Sequence, residues 1–480
     1  MTVYVPRVYQ HLMRNFAFDH ERCSLFASPG TGKTSTIYEI FAELKLFGEV
    51  NRMLVLGPKR VAESVWTAER EKWLESFGHL SVAAAVGSPE QRLTALRKTP
   101  DILTCNYENI EWLIAQYGDN WPFDMVVPDE ATRLKGLRVS MQYGKNKDGS
   151  QGKEHIRGQG STRAKALSKI AHTKVKRWIN ITGSPAPNGL IDVWALSWFV
   201  DGGRGLGNSF KAFTDRWFRA SVGSTREQQR FEPLPHADEQ IQRILARSSM
   251  SIDARDYFDI KEPIERHIMV DLPPKARKQY REMQKELFTW IEEHPLEAFS
   301  AGTKSMKCLQ LASGSVIYDT EGKNWAPVHD EKIEALKSIV EETNGAPLLV
   351  AYQFIADRER ILKAFPQAQS LQKNSDATIK AFQRGEVPML VVHPASAGHG
   401  LDLQENCWIL VDYSSGFNLE YDEQVIERIG PTRQAQSGKN RAVFRYRLIA
   451  RDTIEETAVL PALKYKTSVQ DALKLAMKRT

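Results

Sequence analysis

No stretch of the chain is apolar for long enough to form a membrane helix. Its hydrophobic runs are strand-sized and broken by charge, well short of the roughly twenty residues a bilayer demands. The N-terminus, MTVYVPRVYQ, lacks the basic-then-apolar pattern of a secretory signal, so no membrane partner is expected and the cytoplasm is the default location. Cysteine is scarce. Cys23, Cys105, Cys308 and Cys407 show no C-x-x-C spacing, which argues against a zinc site or a disulfide framework and for buried thiols in a reducing compartment. Excess charge is slight as well: a formal +6 permits a nucleic-acid partner without demonstrating one. What is there is a chain of 480 residues, 42% hydrophobic and 26% charged, the composition of a globular protein of two or three domains.

The most informative stretch runs from Ser24 to Leu44, SLFASPGTGKTSTIYEIFAEL. A short apolar strand enters a glycine-bearing turn and then an amphipathic helix. Backbone N–H groups of such a turn, left unpaired at a helix N-terminus, wrap a triphosphate where the helix dipole also favours negative charge. The pattern Pro29-Gly30-Thr31-Gly32-Lys33-Thr34-Ser35 therefore reads as an ATP site. Lys33 supplies a point charge to the β- and γ-phosphates, and the Thr34 hydroxyl is one ligand of Mg²⁺. Only Ala27 departs, standing where the strict pattern has glycine. Upstream, Gln10 is placed to meet the adenine edge.

Strands and helices then alternate in the rhythm of a parallel sheet. Met53–Leu56, Val82–Val86, Ile102–Cys105 and Met125–Val127 read as strands, with Trp66 and Trp73 on a long helical pattern. Ligands gather at the carboxyl ends of such strands. Lys59 and Arg60 are candidates there for nucleic-acid phosphates, and Asn106 and Tyr107 for backbone contacts. FDMVVPDEATRLKG delivers two adjacent carboxylates at a strand end. Asp129 is expected to hold Mg²⁺ and Glu130 to orient and deprotonate the attacking water. Pro128 cannot donate to a ladder, so the strand should be leaving the sheet there. Residues 141–163, rich in Gly, Lys, Gln and Ser, read as a mobile loop. Thr182 and Ser184, at the end of the next strand, are placed to sense the γ-phosphate.

Residues 223–262 read as a polar connector. A helix opened by Pro273-Pro274, with KSMKCLQLASGS after it, reads as a small helical inter-lobe extension. A second strand-helix array begins at Pro347 without any phosphate loop, so its use is to close on the first. Gln353 and Ser396 are candidate nucleic-acid contacts here, the latter in the turn 396–402 with Gly398 and Gly400. In EYDEQVIERIGPTRQ, Gln424, Arg428 and Arg433 are catalytic candidates, because an arginine here can reach the γ-phosphate. Pro431 disfavours helix at Gly430, so Arg433 is expected to project from a turn. The expected domains are 1–222, 223–325 and 326–480.

Taken in order, these strings resemble superfamily 2 nucleic-acid motors, and specifically the Swi/Snf-like double-strand DNA translocases. The likeness rests on Arg7-Val8-Tyr9-Gln10, on Gly30–Thr34, on LVLGPKRVAESVWTAEREKW, on Asp129-Glu130-Ala131-Thr132, on Thr182-Gly183-Ser184-Pro185 with Asn188, on LLVAYQF, on HPASAGHGLDL and on YRLIARDTIEE. It implies an α/β fold of two RecA-like lobes with parallel sheets flanked by helices, Mg²⁺-dependent ATP hydrolysis, a duplex DNA partner and a monomer. Its implied alternatives are a strand-separating DNA or RNA helicase and a nucleic-acid scaffold with impaired ATPase. Thr132 stands where the family has histidine, and two extra residues separate Arg428 from Arg433. Beginning near the adenine motif and stopping soon after the last one, the chain is similar to minimal motors of bacteriophages and bacteria, which implies a host cytoplasm if a phage encodes it.

Overall fold

The computed structural model describes residues 3–145, 151–220, 231–257, 260–293, 298–318, 324–371, 376–397, 401–439 and 441–478. The chain divides into two compact units.

The first unit comprises Met1–Arg219, Phe231–Tyr257 and Ser468–Thr480. Its core strands are β1 (Arg22–Ala27), β2 (Met53–Gly57), β3 (Val82–Ala85), β4 (Ile102–Asn106) and β5 (Met125–Pro128). A hairpin follows, β6 (Leu137–Lys145) with β7 (Gln151–Gly160), then β8 (Arg177–Thr182), the short pair β9 (Phe218–Ala220) and β10 (Phe231–Pro233), and β11 (Ser249–Ile252). The main sheet has the order β11-β1-β8-β5-β2-β4-β3, and its pairs are parallel throughout. Runs such as MLVLG and MVVP are buried at every position, the pattern of strands covered on both faces. The order matters for chemistry: β1, β8 and β5 are consecutive in space, so the segments that leave their carboxyl ends meet.

Pro128 ends β5, as its missing N–H requires. It still faces Leu56 of β2 in register, but the ladder with β8 stops at Val126 opposite Trp178 and resumes only as an isolated bridge from Asp129 to Ile181. Two expectations are corrected. Residues 141–163 are not a structureless loop, since 137–160 pair as an antiparallel hairpin rooted by buried Leu137 and Val139. Part of the expected connector belongs to the first unit: Ala237–Leu245 forms a helix and Ser249–Ile252 the edge strand beside β1. Residues 468–478 return to the same edge. Leu473 and Met477 join its core, and Ser251 N donates to Met477 O at 2.9 Å.

The second unit, Ala220–Arg230 with Phe258–Thr467, carries β12 (Ile264–Val270), β13 (Ser315–Ile317), β14 (Trp325–Pro327), β15 (Leu348–Ala351), β16 (Gln369–Ser370), β17 (Met389–Val392), β18 (Ile409–Asp412) and β19 (Phe444–Ala450). Six of them form a parallel sheet, β12-β19-β18-β15-β17-β16, while β13 and β14 make an antiparallel pair. The helices Pro274–Glu293 and Ala298–Ser313 are not a separate body. Ala276, Tyr280, Cys308, Leu311 and Ala312 share one apolar cluster with Val270 of β12 and Ala450 of β19. Cys23, Cys105, Cys308 and Cys407 are buried free thiols, each raised by burial. No helix among the described residues is long and apolar enough to cross a membrane.

A buried charge network closes the second sheet. Arg445 and Arg447, two apart on β19, share a face and converge on Asp412 at the end of β18 and Asp422 on the helix Leu419–Ile426. Arg445 Nε lies 2.7 Å from Asp412 Oδ2, Arg445 Nη2 2.6 Å from Asp422 Oδ1, and Arg447 Nη1 2.7 Å from the same Oδ1. Burial alone would raise the Asp422 carboxyl, but the two guanidiniums overcome it and hold the group well below the usual carboxylate range. Asp422→Asn leaves Arg445 and Arg447 to share Asp412, with Glu265 still on Arg447, and the loss of the second buried carboxylate is expected to cost about 3 kcal/mol in denaturant unfolding of the full chain. A depressed carboxyl stabilises above its unfolded pKa and stops doing so only as pH falls through the folded one. The gap between wild type and variant should therefore stay constant from about pH 5 to 8 and close only in strong acid.

Candidate active site

β1 ends at Ala27, and the chain turns through Ser28-Pro29-Gly30-Thr31-Gly32 into the helix Lys33–Leu46. Gly30 and Gly32 take φ of 80° and 72°, the left-handed region. A Cβ on Gly32 would also lie 2.5 Å from Gln10 Nε2, so this position excludes side chains twice over. Thr31 is buried, its hydroxyl donating to Ser28 O at 2.7 Å, and Ser35 and Thr36 hydroxyls both donate to Gly32 O at 3.0 Å. These bonds fix the turn before any ligand arrives. Lys33 Nζ donates to Ala27 O at 2.8 Å, and Thr34, half-buried, occupies the second helical position.

Gln10 lies against this turn. Its Nε2 donates to Gly32 O at 3.3 Å and its Oε1 accepts from Arg7 N at 2.8 Å. The residue expected at the adenine edge thus also braces the phosphate loop.

At the end of β5, Asp129 is buried and accepts from Trp66 Nε1 at 3.2 Å. Burial and then the adjacent Glu130 push its carboxyl up to about 7, against the pull of the Lys33 ammonium and the Trp66 N–H. Glu130 has φ 57°, a left-handed conformation that costs a non-glycine residue of order 1–3 kcal/mol and clusters at functional sites. Thr182, at the end of β8, donates to Glu130 Oε2 at 3.3 Å, and Ser184 N donates to Thr182 Oγ1 at 3.2 Å. Gly183 packs on the phosphate turn, where an added Cβ would lie 3.2 Å from Pro29 Cδ. Three strand ends therefore bring Lys33, Thr34, Asp129, Glu130 and Thr182 to one place. Thr132 is buried with an unpartnered hydroxyl, and Thr182 meets the Glu130 carboxylate directly.

Two nucleic-acid candidates are corrected. Tyr107 is fully buried, and its hydroxyl donates to Asp129 O at 2.9 Å. Asn106 is buried too, its Nδ2 donating to Glu108 Oε2 at 2.8 Å and its Oδ1 accepting from Asn109 Nδ2 at 2.6 Å. Tyr107 thus braces the segment bearing Asp129, and Asn106 the turn that follows β4. Lys59 is exposed and Arg60 half-buried, at the head of the helix after β2. Trp66 and Tyr107 are the residues whose contribution sequence reasoning missed. Trp66 reads only as part of a long helical pattern and Tyr107 as a residue at a strand end, and nothing local shows a ring N–H or O–H meeting a group sixty or twenty positions away.

In the second unit, Gln353 N, just past β15, donates to Ser414 Oγ at 2.8 Å. Ser396 is exposed in the short helix Pro394–Ala397, and Gly398 and Gly400 lie outside the described residues. Gln424 is buried, donating to Glu420 Oε1 at 3.1 Å, and Arg428 Nε donates to Gln424 O at 3.1 Å. The helix bearing Gln424 does end before Gly430, at Ile426. Arg433, however, is not on a turn. Pro431 starts a new short helix, Pro431–Gln436, as its fixed φ favours at a first helical position, and Arg433 lies within it, ion-paired to Asp402.

No family model matches the chain. It is 44% identical to protein p41 of Acyrthosiphon pisum secondary endosymbiont phage 1, over the whole of both chains. It is 21% identical over 92% of its length to the chromatin structure-remodeling complex subunit snf21 of Schizosaccharomyces pombe, and spans 36% of that protein. Among solved structures, the Pyrococcus furiosus Hef helicase domain matches 95% of this chain and 98% of its own with a TM-score of 0.51 at 16% identity, a likeness of fold alone.

A carboxyl raised to about 7 binds a proton in the folded chain that the unfolded chain has already lost above about pH 4, so Asp129 takes away stability as pH rises between these values. Asp129→Asn removes that loss and keeps an acceptor for Trp66. The variant should melt with the wild type near pH 4 and progressively above it up to about pH 7, with a constant gap beyond. Melting curves from pH 4 to about pH 8.5 check this, and a pH-independent gap would contradict it.

Proposed function

The chain belongs to the Swi/Snf-like branch of superfamily 2, the nucleic-acid-dependent ATPases, and from that membership we propose that it is an ATP-driven translocase moving along duplex DNA. The reading is carried by one observation: the sheet order sets Lys33, Asp129-Glu130 and Thr182 at adjacent strand ends, with Thr182 bonded to Glu130. Lys33 and the turn Pro29–Gly32 hold the triphosphate, Gln10 and Ser35 brace that turn, and Glu130 orients and deprotonates the attacking water. Thr34 and Asp129 are the ligands for Mg²⁺. A buried carboxylate crowded by a second one is the donor set that a divalent cation satisfies, and the ion would supply charge neutralisation on the phosphates. Lys59, Arg60, Gln353 and Ser396 remain the proposed DNA contacts. Arg428 supports Gln424, whose carbonyl it meets, and Arg433 serves the γ-phosphate in turnover.

A strand-separating reading draws on the hairpin β6–β7, which follows the segment bearing Asp129 and Glu130 after one short 3-10 helix, Ala131–Leu134. Turnover measured in parallel with duplex DNA, single-stranded DNA and RNA separates the two. Duplex should stimulate most, with the effect falling as salt rises because phosphate contacts release counterions. Displacement of a third strand from a triplex should exceed displacement from a duplex. RNA stimulating as well as duplex would favour the strand-separating helicase.

Site assignments are tested by substitution. Glu130→Gln should bind ATP without hydrolysing it, Lys33→Ala should bind it poorly, and Arg433→Ala should lower turnover about 10³-fold with a much smaller loss of ATP affinity. Nucleotide binding by fluorescence beside steady-state turnover distinguishes them, and undiminished turnover in Lys33→Ala or Glu130→Gln would remove the assignment.

A further inference from the structure

Between the exposed Lys59 and the buried Asp129 runs a short segment that the reaction described above does not use. β2 ends at Gly57, the helix starts at Lys59 and Arg60, and residues Val61–Val65 form one π-helical turn before the α-helix Trp66–Lys72. A π turn holds one residue more than an α turn, and such turns recur at functional sites. One extra residue shifts everything beyond it by roughly 100° about the axis. Here the first residue beyond it is Trp66, fully buried, whose indole N–H reaches Asp129 Oδ2 at 3.2 Å.

The segment is pinned on three sides. Thr104 of β4, fully buried, donates its hydroxyl to Ala62 O inside the π turn. Tyr38, on the helix that leaves the phosphate loop, donates its hydroxyl to Trp66 O at 2.8 Å, and the two rings lie 5.4 Å apart. The third pin is Asp129 itself. The indole is a donor only, so it favours the ionised carboxylate and fixes which oxygen is left for a cation. Partners of this kind orient a metal ligand without touching the metal. Val61 also packs within reach of Gly57, where an added Cβ would lie 3.2 Å from Val61 Cγ1, so a shift at the strand end is felt in the turn.

We infer that Trp66 is a positioning residue for Asp129, and that the π turn Val61–Val65 is the element through which DNA held at Lys59 and Arg60 adjusts the hydrolysis site. This rests on the assignment of Asp129 to Mg²⁺ and of Lys59 and Arg60 to DNA. A ligand at the head of the segment can act only by biasing it between arrangements, and Trp66 is the side chain that carries the bias to the carboxylate.

Trp66→Phe keeps an aromatic ring but removes the N–H together with the five-membered part of the indole. Loss of such a partner should weaken apparent Mg²⁺ affinity about tenfold or more, read both from the Mg²⁺ dependence of turnover and from the rise in melting temperature that Mg²⁺ with ADP produces. The ratio of duplex-stimulated to basal turnover should fall about fivefold or more, while DNA affinity by fluorescence anisotropy is retained. Thr104→Val, which releases the π turn and leaves Asp129 and Trp66 in place, should lower the same ratio without the Mg²⁺ effect. It also answers the question of the π turn if Trp66→Phe fails to fold. Wild-type Mg²⁺ dependence in a folded Trp66→Phe, or a wild-type ratio in Thr104→Val, would overturn the inference. Normal turnover in Lys33→Ala or Glu130→Gln would instead overturn the nucleotide site on which it rests.

Discussion

Two carboxylates on consecutive residues, one of them buried, repel each other, and much of the first unit serves to hold them together at the end of β5. Water cannot separate their charges there, so the local dielectric strengthens the repulsion. What offsets it is sparse: the Lys33 ammonium from the neighbouring strand-turn and the indole of Trp66. The backbone contributes as well, since the left-handed turn at Glu130 carries its side chain toward Thr182 rather than along the strand. Such an arrangement is costly in the ligand-free chain, and a cation of the kind proposed for it would relieve the repulsion.

Parallel topology converts this local problem into a shared one. Because β8 lies between β1 and β5, the hydroxyl of Thr182 reaches the Glu130 carboxylate while the next residue, Gly183, lies against Pro29 of the phosphate turn. Gly183 packs closely on Pro29, where a Cβ would be tight. Three segments scattered over about 150 positions of sequence thus become one surface, a convergence that α/β sheets provide at the carboxyl ends of their strands.

Much of this is legible in the sequence. Ala27–Thr34 and Asp129-Glu130 carry their structural context with them, an apolar strand before and a turn or helix after, and each folds as its neighbours dictate. Pro128 is legible for the same reason, because a missing N–H constrains the ladder wherever the strand lies. What is not legible depends on partners distant in sequence. Tyr107 looks like a loop residue because it follows a strand end, yet its hydroxyl finds Asp129 O across the sheet. Polar residues in 141–163 hide a hairpin, since antiparallel pairing can be satisfied by backbone alone once Leu137 and Val139 anchor its base. The helix carrying Arg433 is not legible because Pro431 reads as a terminator, although the residue that ends one helix is well suited to begin another.

The return of residues 468–478 to the first unit bears on the order of events at the ribosome. Edge strand β11 is synthesised long before Met477, whose carbonyl its Ser251 needs, and before Leu473, which completes the apolar packing beside it. Domains usually fold in turn as they emerge. Here the whole second unit is translated while the first still has an open flank, so a nascent chain must keep that flank from the strand edges of its neighbours until its own closing segment arrives.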